Sequence, residues 1–180
     1  MALTLEDMTV EEFEAFRGMS VQNYAKQNIQ SGTWTEKEAL EKSEQAYEKM
    51  IPNGRNSSNH FFWNITNEEG ERMGWLWLYA DPLHPQKEAF IYSFGLYEAF
   101  RGKGLAQLAL QSLDERAREL GAERLALHVF AHNETAVYLY QKMGYAMTNI
   151  RMLETAVLII AAYLSGFPNT ICQCRCLESW

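Results

Sequence analysis

The chain has 180 residues, a formal net charge of −7 and 47% hydrophobic residues. It is long enough to bury the core of one domain without help from disulfides or metals. The acidic balance argues against a nucleic-acid partner, because phosphate binding requires a broad basic face. An acidic surface instead favours a cationic partner.

The sequence gives no sign of a membrane span or a secretion signal. Its longest apolar run, residues 156–164, is shorter than the roughly 20 residues that cross a bilayer. Residues 1–7 contain neither a basic region nor a long apolar stretch. We therefore expect a cytoplasmic protein with no membrane partner.

The first part of the chain predicts one short strand and two helices. The strand is expected at residues 2–5. Two pairs have the spacing of a capping box, in which a hydroxyl and a carboxylate bind free backbone donors at a helix start: Thr9 with Glu12 and Thr35 with Glu38. The first helix should stop at Gly32 and the second at about Met50.

The middle of the chain predicts three strands. Residues 60–65 and 73–79 are rich in aromatic and β-branched side chains, and the turn residues 67–70 between them indicate a hairpin. A third strand is expected at residues 89–96. Gly95 lies inside it, which is typical of a β-bulge or of a close backbone approach.

The remaining elements are a helix, a strand, a helix and a strand. A stripe of leucines predicts a helix from Leu105 to Gly121, and the apolar run 124–130 predicts a central strand. A helix from Asn133 and a strand at residues 145–153 follow. A strand, helix and strand in succession imply one parallel crossover in an otherwise antiparallel sheet, which is an α+β fold.

A glycine-rich turn joins the third strand of the hairpin region to the leucine-striped helix. Gly102 and Gly104 permit a tight turn, and the free amides at a helix start suit a diphosphate. Arg101 and Lys103 add positive charge. The turn is neither a P-loop nor a dinucleotide motif, since Gln107 stands where the latter needs a glycine. A plain connection remains the alternative.

Two motifs in order resemble those of the GNAT family of N-acetyltransferases. Residues 101–106, RGKGLA, fit its R/Q-x-x-G-x-G/A signature, and residues 133–145, NETAVYLYQKMGY, are similar to its N-x-x-A-x-x-L-Y-x-K-x-G-F/Y segment. The resemblance covers residues 60–153. It implies a mixed, mostly antiparallel central sheet flanked by helices, with splayed parallel strands that form the cofactor cleft.

The resemblance implies an N-acetyltransferase that moves an acetyl group from acetyl-CoA to a primary amine by direct attack, without a metal. The acceptor would be a small molecule or a peptide. Such an amine has a pKa near 10.4 and must lose a proton, and the departing thiolate must gain one. The alternatives are a CoA-binding sensor or scaffold of the same fold without turnover, and a transferase for a longer acyl group.

The resemblance also assigns the cofactor-binding residues. They would contact the pantetheine arm and the diphosphate mainly through the backbone: Phe94, Gly95, Leu96, Arg101, Gly102, Lys103, Gly104, Leu105 and Ala106. Asn133 would hydrogen-bond the pantetheine region. Asn133 is equally a good helix N-cap, and both roles can hold together.

Two residues are the catalytic candidates. By resemblance Tyr140 would donate a proton to the thiolate, although its place on an apolar helix face is also typical of a core tyrosine. By resemblance Glu88, at the start of a strand that leads to the cleft, is the candidate general base, acting directly or through water. A solvated strand-end carboxylate is the alternative. The other candidates for the base are weaker: His84, Glu98, His128 and His132, with His128 favoured as a core residue.

In the family the first two helices and their connection select the acceptor. Tyr24 and Trp34 are therefore expected to bind substrate, together with the strand residues Trp75 and Trp77. Aromatic side chains on a sheet are also ordinary core residues.

The end of the chain departs from the resemblance. We expect an acetyltransferase domain at residues 1–153 and an apolar, cysteine-containing extension at residues 154–180. Its cysteines, Cys172, Cys174 and Cys176, are too tightly spaced for an ordinary structural zinc site. An exposed apolar extension would favour association of two copies, so a homodimer is one expected outcome.

Overall fold

A computed structural model describes residues 3–152. Residues 3–145 belong to one compact unit and residues 146–152 to a second. The predicted boundary between residues 153 and 154 lies outside the described residues. The elements of the described chain are β1 (Leu3–Asp7), α1 (Val10–Gln30), α2 (Glu36–Met50), β2 (His60–Asn67), β3 (Arg72–Ala80), β4 (Glu88–Leu96), α3 (Leu105–Glu119), β5 (Arg124–Leu127) and α4 (Glu134–Lys142).

The five strands form one sheet in chain order, β1-β2-β3-β4-β5. The first three pairings are antiparallel, and β4 pairs with β5 in parallel across the α3 crossover. The prediction of a mixed, mostly antiparallel sheet in an α+β domain is therefore confirmed.

Helices cover both faces of the sheet, because successive strand residues point to opposite sides. Trp63 and Ile65 of β2 are buried with the apolar stripe of α3. Phe62 of β2 and Trp77 of β3 are buried on the other face with aromatic residues of α1 and α2. The sheet is thus the middle of three layers.

The predicted helix starts are confirmed. The Thr9 hydroxyl accepts a hydrogen bond from the Glu12 amide at 3.2 Å, and the Glu12 carboxylate accepts one from the Thr9 amide at 2.9 Å. At the start of α2, the Glu38 carboxylate accepts a hydrogen bond from the Thr35 amide at 3.1 Å. These side chains bind donors that a helix start otherwise leaves without partners.

Two strand predictions near the end of the chain are wrong. The strand expected at residues 124–130 ends at Leu127, and among the described residues it lies at the edge of the sheet rather than its centre. An apolar run does not distinguish these positions. Residues 145–152 form neither strand nor helix, and Met147, Ile150 and Met152 are exposed. A strand requires a partner, which composition does not provide.

Gly95 marks a close approach and not a bulge. The register shift lies between Trp77 and Leu78, whose partners are Ser93 and Ile91, so Tyr92 is the extra residue of β4. The Trp75 indole lies against Gly95, where a Cβ would be 2.4 Å from Cζ2. A Cβ on Gly74 would lie 2.1 Å from the Gly95 carbonyl oxygen.

Gly74→Ala should destabilise the protein by about 2 kcal/mol or more, because its Cβ would press on backbone that cannot move without breaking the β3–β4 pairing. Gly18→Ala is the matched control: Gly18 lies inside α1 with nothing within 4 Å of the added Cβ. It should stabilise by about 0.5–1 kcal/mol. Urea unfolding measures both, and a Gly74→Ala midpoint equal to the parent's would contradict the tight packing.

Candidate active site

A cleft opens between β4 and β5 because the two strands pair over only part of β4. Glu88 lies opposite Arg124, and the last pair is Ile91 with Leu127. Among the described residues, β4 pairs with β3 alone from Tyr92 onwards. The β5 side of this second half of β4, which we call the open half, therefore presents backbone groups that no strand of the described chain binds.

Phe94, Gly95 and Leu96 all lie in the open half of β4. The structure thus brings together the three residues expected to bind the pantetheine arm. Tyr92 and Ser93 lie there as well, and the sequence did not indicate them. The bulge at Tyr92, where the open half begins, results from the register of β4 with β3, and no residue type in the sequence predicts it.

The glycine turn leads directly into α3. Gly102 and Gly104 have φ angles of 73° and 77°, and nothing lies within 4 Å of a Cβ added at either. Backbone conformation, and not space, is therefore what requires glycine here. Gly104 is also the N-cap residue and carries no capping side chain, so the amides of Leu105 and Ala106 at the helix start are available to an anion.

The turn is fastened to the open half of β4. Arg101 Nε donates a hydrogen bond to the Leu96 carbonyl oxygen at 2.9 Å. Lys103 Nζ lies 5.8 Å from the centroid of the Phe100 ring. The two groups of predicted cofactor residues, one on β4 and one on the turn, therefore adjoin each other.

Asn133 caps α4 through one end of its side chain. Its Oδ1 accepts a hydrogen bond from the Ala136 amide at 3.3 Å, while its own backbone amide donates to the Phe130 carbonyl at 2.9 Å. The cap confirms the structural role predicted for Asn133. It uses the oxygen, and the side-chain NH₂ is a separate pair of donors on an exposed residue.

Tyr140 is half-buried on α4, and its ring centroid lies 5.4 Å from that of Tyr145. Burial raises the pKa of Tyr140 to about 12. The phenol is therefore protonated throughout the neutral range, which a proton donor requires. Packing among core residues and donating a proton are compatible roles for this side chain.

Tyr145 carries a buried hydroxyl for which the described residues supply no hydrogen-bond partner. Burial raises the pKa of Tyr145, and the nearby Asp114 carboxylate acts in the same direction. Burial also raises the pKa of Asp114, although Arg118 opposes this. An unpaired buried hydroxyl destabilises the fold unless a partner reaches it.

The structure does not bring Glu88 to the open half of β4. Glu88 lies in the paired half, opposite Arg124, and its amide donates a hydrogen bond to Nδ1 of His84 at 3.3 Å. It precedes Tyr92 by four residues, or about 13 Å along a strand. That separation is too long for direct proton transfer.

The histidines after β5 do not behave alike. His128 is exposed, with its ring centroid 5.2 Å from that of Phe130, so the expectation of a core histidine is wrong. The strand expected to contain His128 ends one residue earlier, at Leu127, and none of the residues of β5 is fully buried. His132 lies further along, and its Nε2 is 2.5 Å from Oε1 of Gln27, which links this segment to α1.

The aromatic residues expected to bind the acceptor are divided between two places. Tyr24 and Trp34 pack edge to face with centroids 5.3 Å apart. Trp77 is 1% exposed and belongs to the core. Trp75 alone of the four lines a cavity of about 380 Å³ between α1 and the sheet, which is half open to solvent.

This cavity, here called the α1 cavity, adjoins the open half of β4. Trp75 Nε1 donates a hydrogen bond to the Ser93 hydroxyl at 3.0 Å, and the indole covers Gly95. The residues that line it are Met8, Glu11, Glu12, Ala15, Phe16, Met19, Asn64, Arg72, Trp75 and Tyr97. Sequence reasoning found only Trp75, since the others come from distant parts of the chain.

Two further findings apply to residues 3–152. No group of three or more His, Cys, Asp or Glu side chains is arranged to hold a metal ion. No helix in this range has the length and apolar character needed to cross a membrane.

Comparisons with known proteins define the class. Residues 24–145, about two thirds of the chain, match the model of the acetyltransferase (GNAT) family. The chain is 93% identical over 152 residues to YdgE of Bacillus subtilis (strain 168), named as an uncharacterized N-acetyltransferase, which covers 84% of this chain and 97% of YdgE. It is 43% identical over 152 residues to YycN of the same strain, again named as an uncharacterized N-acetyltransferase.

Solved structures agree with these matches. The crystal structure of Bacillus subtilis YycN superposes with a TM-score of 0.84 at 41% identity, covering 87% of this chain and all of that one. Spermidine N-acetyltransferase from Vibrio cholerae, solved in complex with CoA and spermine, shares the fold with a TM-score of 0.56 at 17% identity, covering 82% of each chain. The protein belongs to the GNAT family and is an acyltransferase.

The raised pKa of Tyr140 has a consequence for stability. A tyrosine in an unfolded chain has a pKa near 10, so the folded protein holds this proton more tightly than the unfolded chain does. The stabilisation is complete below pH 10 and is lost as the pH rises through about 12. Tyr140→Phe should therefore lose less stability than the parent between pH 10 and 12 in urea unfolding.

Tyr138→Phe is the control, because Tyr138 lies on the same helix and is 69% exposed. Tyr140→Phe will still lose some stability in this range, since burial also raises the pKa of Tyr47 to about 12. Equal pH curves for Tyr140→Phe and the parent would show that Tyr140 is not the buried phenol described above.

Proposed function

We propose that the protein transfers the acetyl group of acetyl-CoA to a primary amine by direct attack of the amine on the thioester. The observation that carries the proposal is the hydrogen bond from Arg101 to Leu96, which joins the open half of β4 to the glycine turn. Backbone donors for an extended arm and for a diphosphate then form one continuous surface. Family membership supports the same reading.

The residues present fit a CoA ester. The amides from Arg101 to Ala106 would hold the diphosphate at the start of α3, where the helix dipole is positive. Phe94, Gly95 and Leu96 would bind the pantetheine arm through their backbone, and the NH₂ group of Asn133 would donate to it from the other side of the cleft. Gly104 leaves the approach open.

Tyr140 would act at the end of the reaction. The amine nitrogen forms a bond to the acetyl carbon, its proton passes to solvent water, and the carbon–sulfur bond breaks. The sulfur then needs a proton, which the protonated phenol of Tyr140 would donate, and the phenolate would regain a proton from solvent water. Glu88 lies too far from the open half to accept the amine proton directly, so it would act as the general base only through intervening water.

The second candidate function is a CoA-binding sensor or scaffold without turnover. It would use the same cofactor surface and differ only in the chemistry, so a turnover assay with a panel of primary amines separates the two. Acetyl-, propionyl- and butyryl-CoA in the same assay test for a longer acyl donor. The cytoplasmic location and the homodimer remain predictions.

Gly104→Glu should abolish acetyl-CoA binding, measured by isothermal titration calorimetry. The substitution places a carboxylate beside the amides that would hold the diphosphate, and it forces a non-glycine residue to a φ of 77°. We expect Kd to rise about 100-fold or more, equivalent to about 3 kcal/mol.

Gly121→Glu is the matched control. Gly121 follows α3 at its other end, has a φ of 86° and likewise has nothing within 4 Å of an added Cβ. It carries the same backbone strain and the same charge without approaching the glycine turn. If the folded parent fails to bind acetyl-CoA, or if both variants bind alike, the proposed cofactor site is wrong.

Tyr140→Phe should lower kcat about 100-fold, because positioned proton donors typically contribute that much or more. The Kd for acetyl-CoA should stay within about twofold of the parent's, since the phenyl ring keeps the packing. Tyr138→Phe again serves as the control. An unchanged kcat in Tyr140→Phe would exclude Tyr140 as the donor.

A further inference from the structure

The α1 cavity has an apolar, aromatic interior. Phe16, Trp75 and Tyr97 supply rings, and two methionines and an alanine complete the apolar lining. The Trp75 and Tyr97 ring centroids are 5.5 Å apart. Aromatic faces attract cations as well as apolar groups. The interior therefore suits an aliphatic stem that carries positive charge.

The charges at the cavity leave one carboxylate in excess. Glu12 binds the Thr9 amide, Asn64 Nδ2 and the Arg72 guanidinium, so its charge is matched within the protein. Glu11 is an exposed second carboxylate on the lining. A backbone hydrogen bond at the start of α1 lowers the pKa of Glu11, which keeps it ionised at neutral pH.

The cavity and the proposed reaction centre share one wall. Trp75 lines the cavity, covers Gly95 and donates a hydrogen bond to Ser93. Both partners lie in the open half of β4, where the thioester would be held. A molecule seated against Trp75 is therefore separated from the open half of β4 by that indole.

We infer that the α1 cavity binds the non-reacting end of the amine acceptor, and that this end carries a second cationic group on an apolar stem. The inference rests on the proposed function and names its class of substrate: an aliphatic diamine or a longer amine of that kind. Glu11 attracts the distal cation, and the rings of Trp75 and Tyr97 hold the stem. An anionic acceptor would be repelled by Glu11.

A binding experiment tests the inference without depending on turnover. The probes are putrescine, cadaverine and hexamethylenediamine, each compared with the monoamine of the same stem: butylamine, pentylamine and hexylamine. Calorimetry measures the Kd of each with the full chain saturated with CoA, up to about 10 mM amine, which is above the usual range of KM values.

Two variants change the cavity. Ala15→Phe places a ring in it from an exposed position on α1, and Glu11→Gln removes its excess charge while keeping the shape. Glu14→Phe and Glu14→Gln are the controls, because Glu14 is exposed on the same helix and does not line the cavity. Glu14→Phe introduces the same ring as Ala15→Phe, and Glu14→Gln removes the same charge as Glu11→Gln.

We expect at least one diamine to bind the parent about threefold or more tightly than its monoamine, as an exposed ion pair or cation–π contact would produce. Ala15→Phe should weaken diamine binding at least about tenfold. Glu11→Gln should remove the preference for the diamine, and neither Glu14 variant should have an effect.

Two results would overturn the inference: no diamine binding by a parent that binds acetyl-CoA, or diamine binding that Ala15→Phe leaves unchanged. In both, the acetyl-CoA titration still supports the proposed function. If the parent does not bind acetyl-CoA, the diamines are titrated without CoA. Diamine binding that Ala15→Phe then abolishes would overturn the proposed function and support the ligand class inferred for the α1 cavity.

Discussion

The limited pairing of β4 with β5 is the constraint on which the site depends. The strands share four positions, from Glu88 with Arg124 to Ile91 with Leu127, and then β4 continues beside β3 alone. Backbone groups that would otherwise complete a ladder are left to bind a ligand. Tyr92 causes part of this geometry, since a bulged residue bends its strand and increases the twist. The proposed cofactor site therefore consists mainly of backbone groups, which is why glycines and helix-start positions indicate it better than charged side chains do.

Local features of the fold and site could be predicted from the sequence because they depend on residues close together in the chain. A capping box needs only Thr9 and Glu12, which are three positions apart, and the structure forms both of its hydrogen bonds. The glycine turn is local in the same sense, because the left-handed conformation of Gly104 at the start of α3 is one that glycine adopts without strain. The resemblance to an acetyltransferase family likewise depends on two short motifs, at residues 101–106 and 133–145.

Features that depend on pairing between distant segments could not be predicted in the same way. The composition of the strand that ends at Leu127 does not say whether one or two strands flank it, and the structure places it at the edge of the described sheet. Glu88 was a reasonable base from its place in a strand, yet register puts it in the paired half. The α1 cavity combines Glu11, Arg72 and Tyr97, which come together only when α1 packs on the sheet.

Trp75 lies between the α1 cavity and the open half of β4, the two surfaces proposed to bind the acceptor and the cofactor. Its position also explains why Gly74 and Gly95 occur inside strands, where glycine lowers stability. Its indole can lie flat on β4 only because Gly95 has no Cβ, and the strands can approach this closely only because Gly74 has none. Glycine inside strands lowers stability, so both positions imply a gain elsewhere. What the two glycines make possible is the position of the Trp75 indole between the α1 cavity and the open half of β4. A hydrogen bond to Ser93 holds the indole there. Occupation of the cavity would then act through Trp75 on the backbone that we propose holds the thioester, so acceptor selection and catalysis would depend on the same side chain.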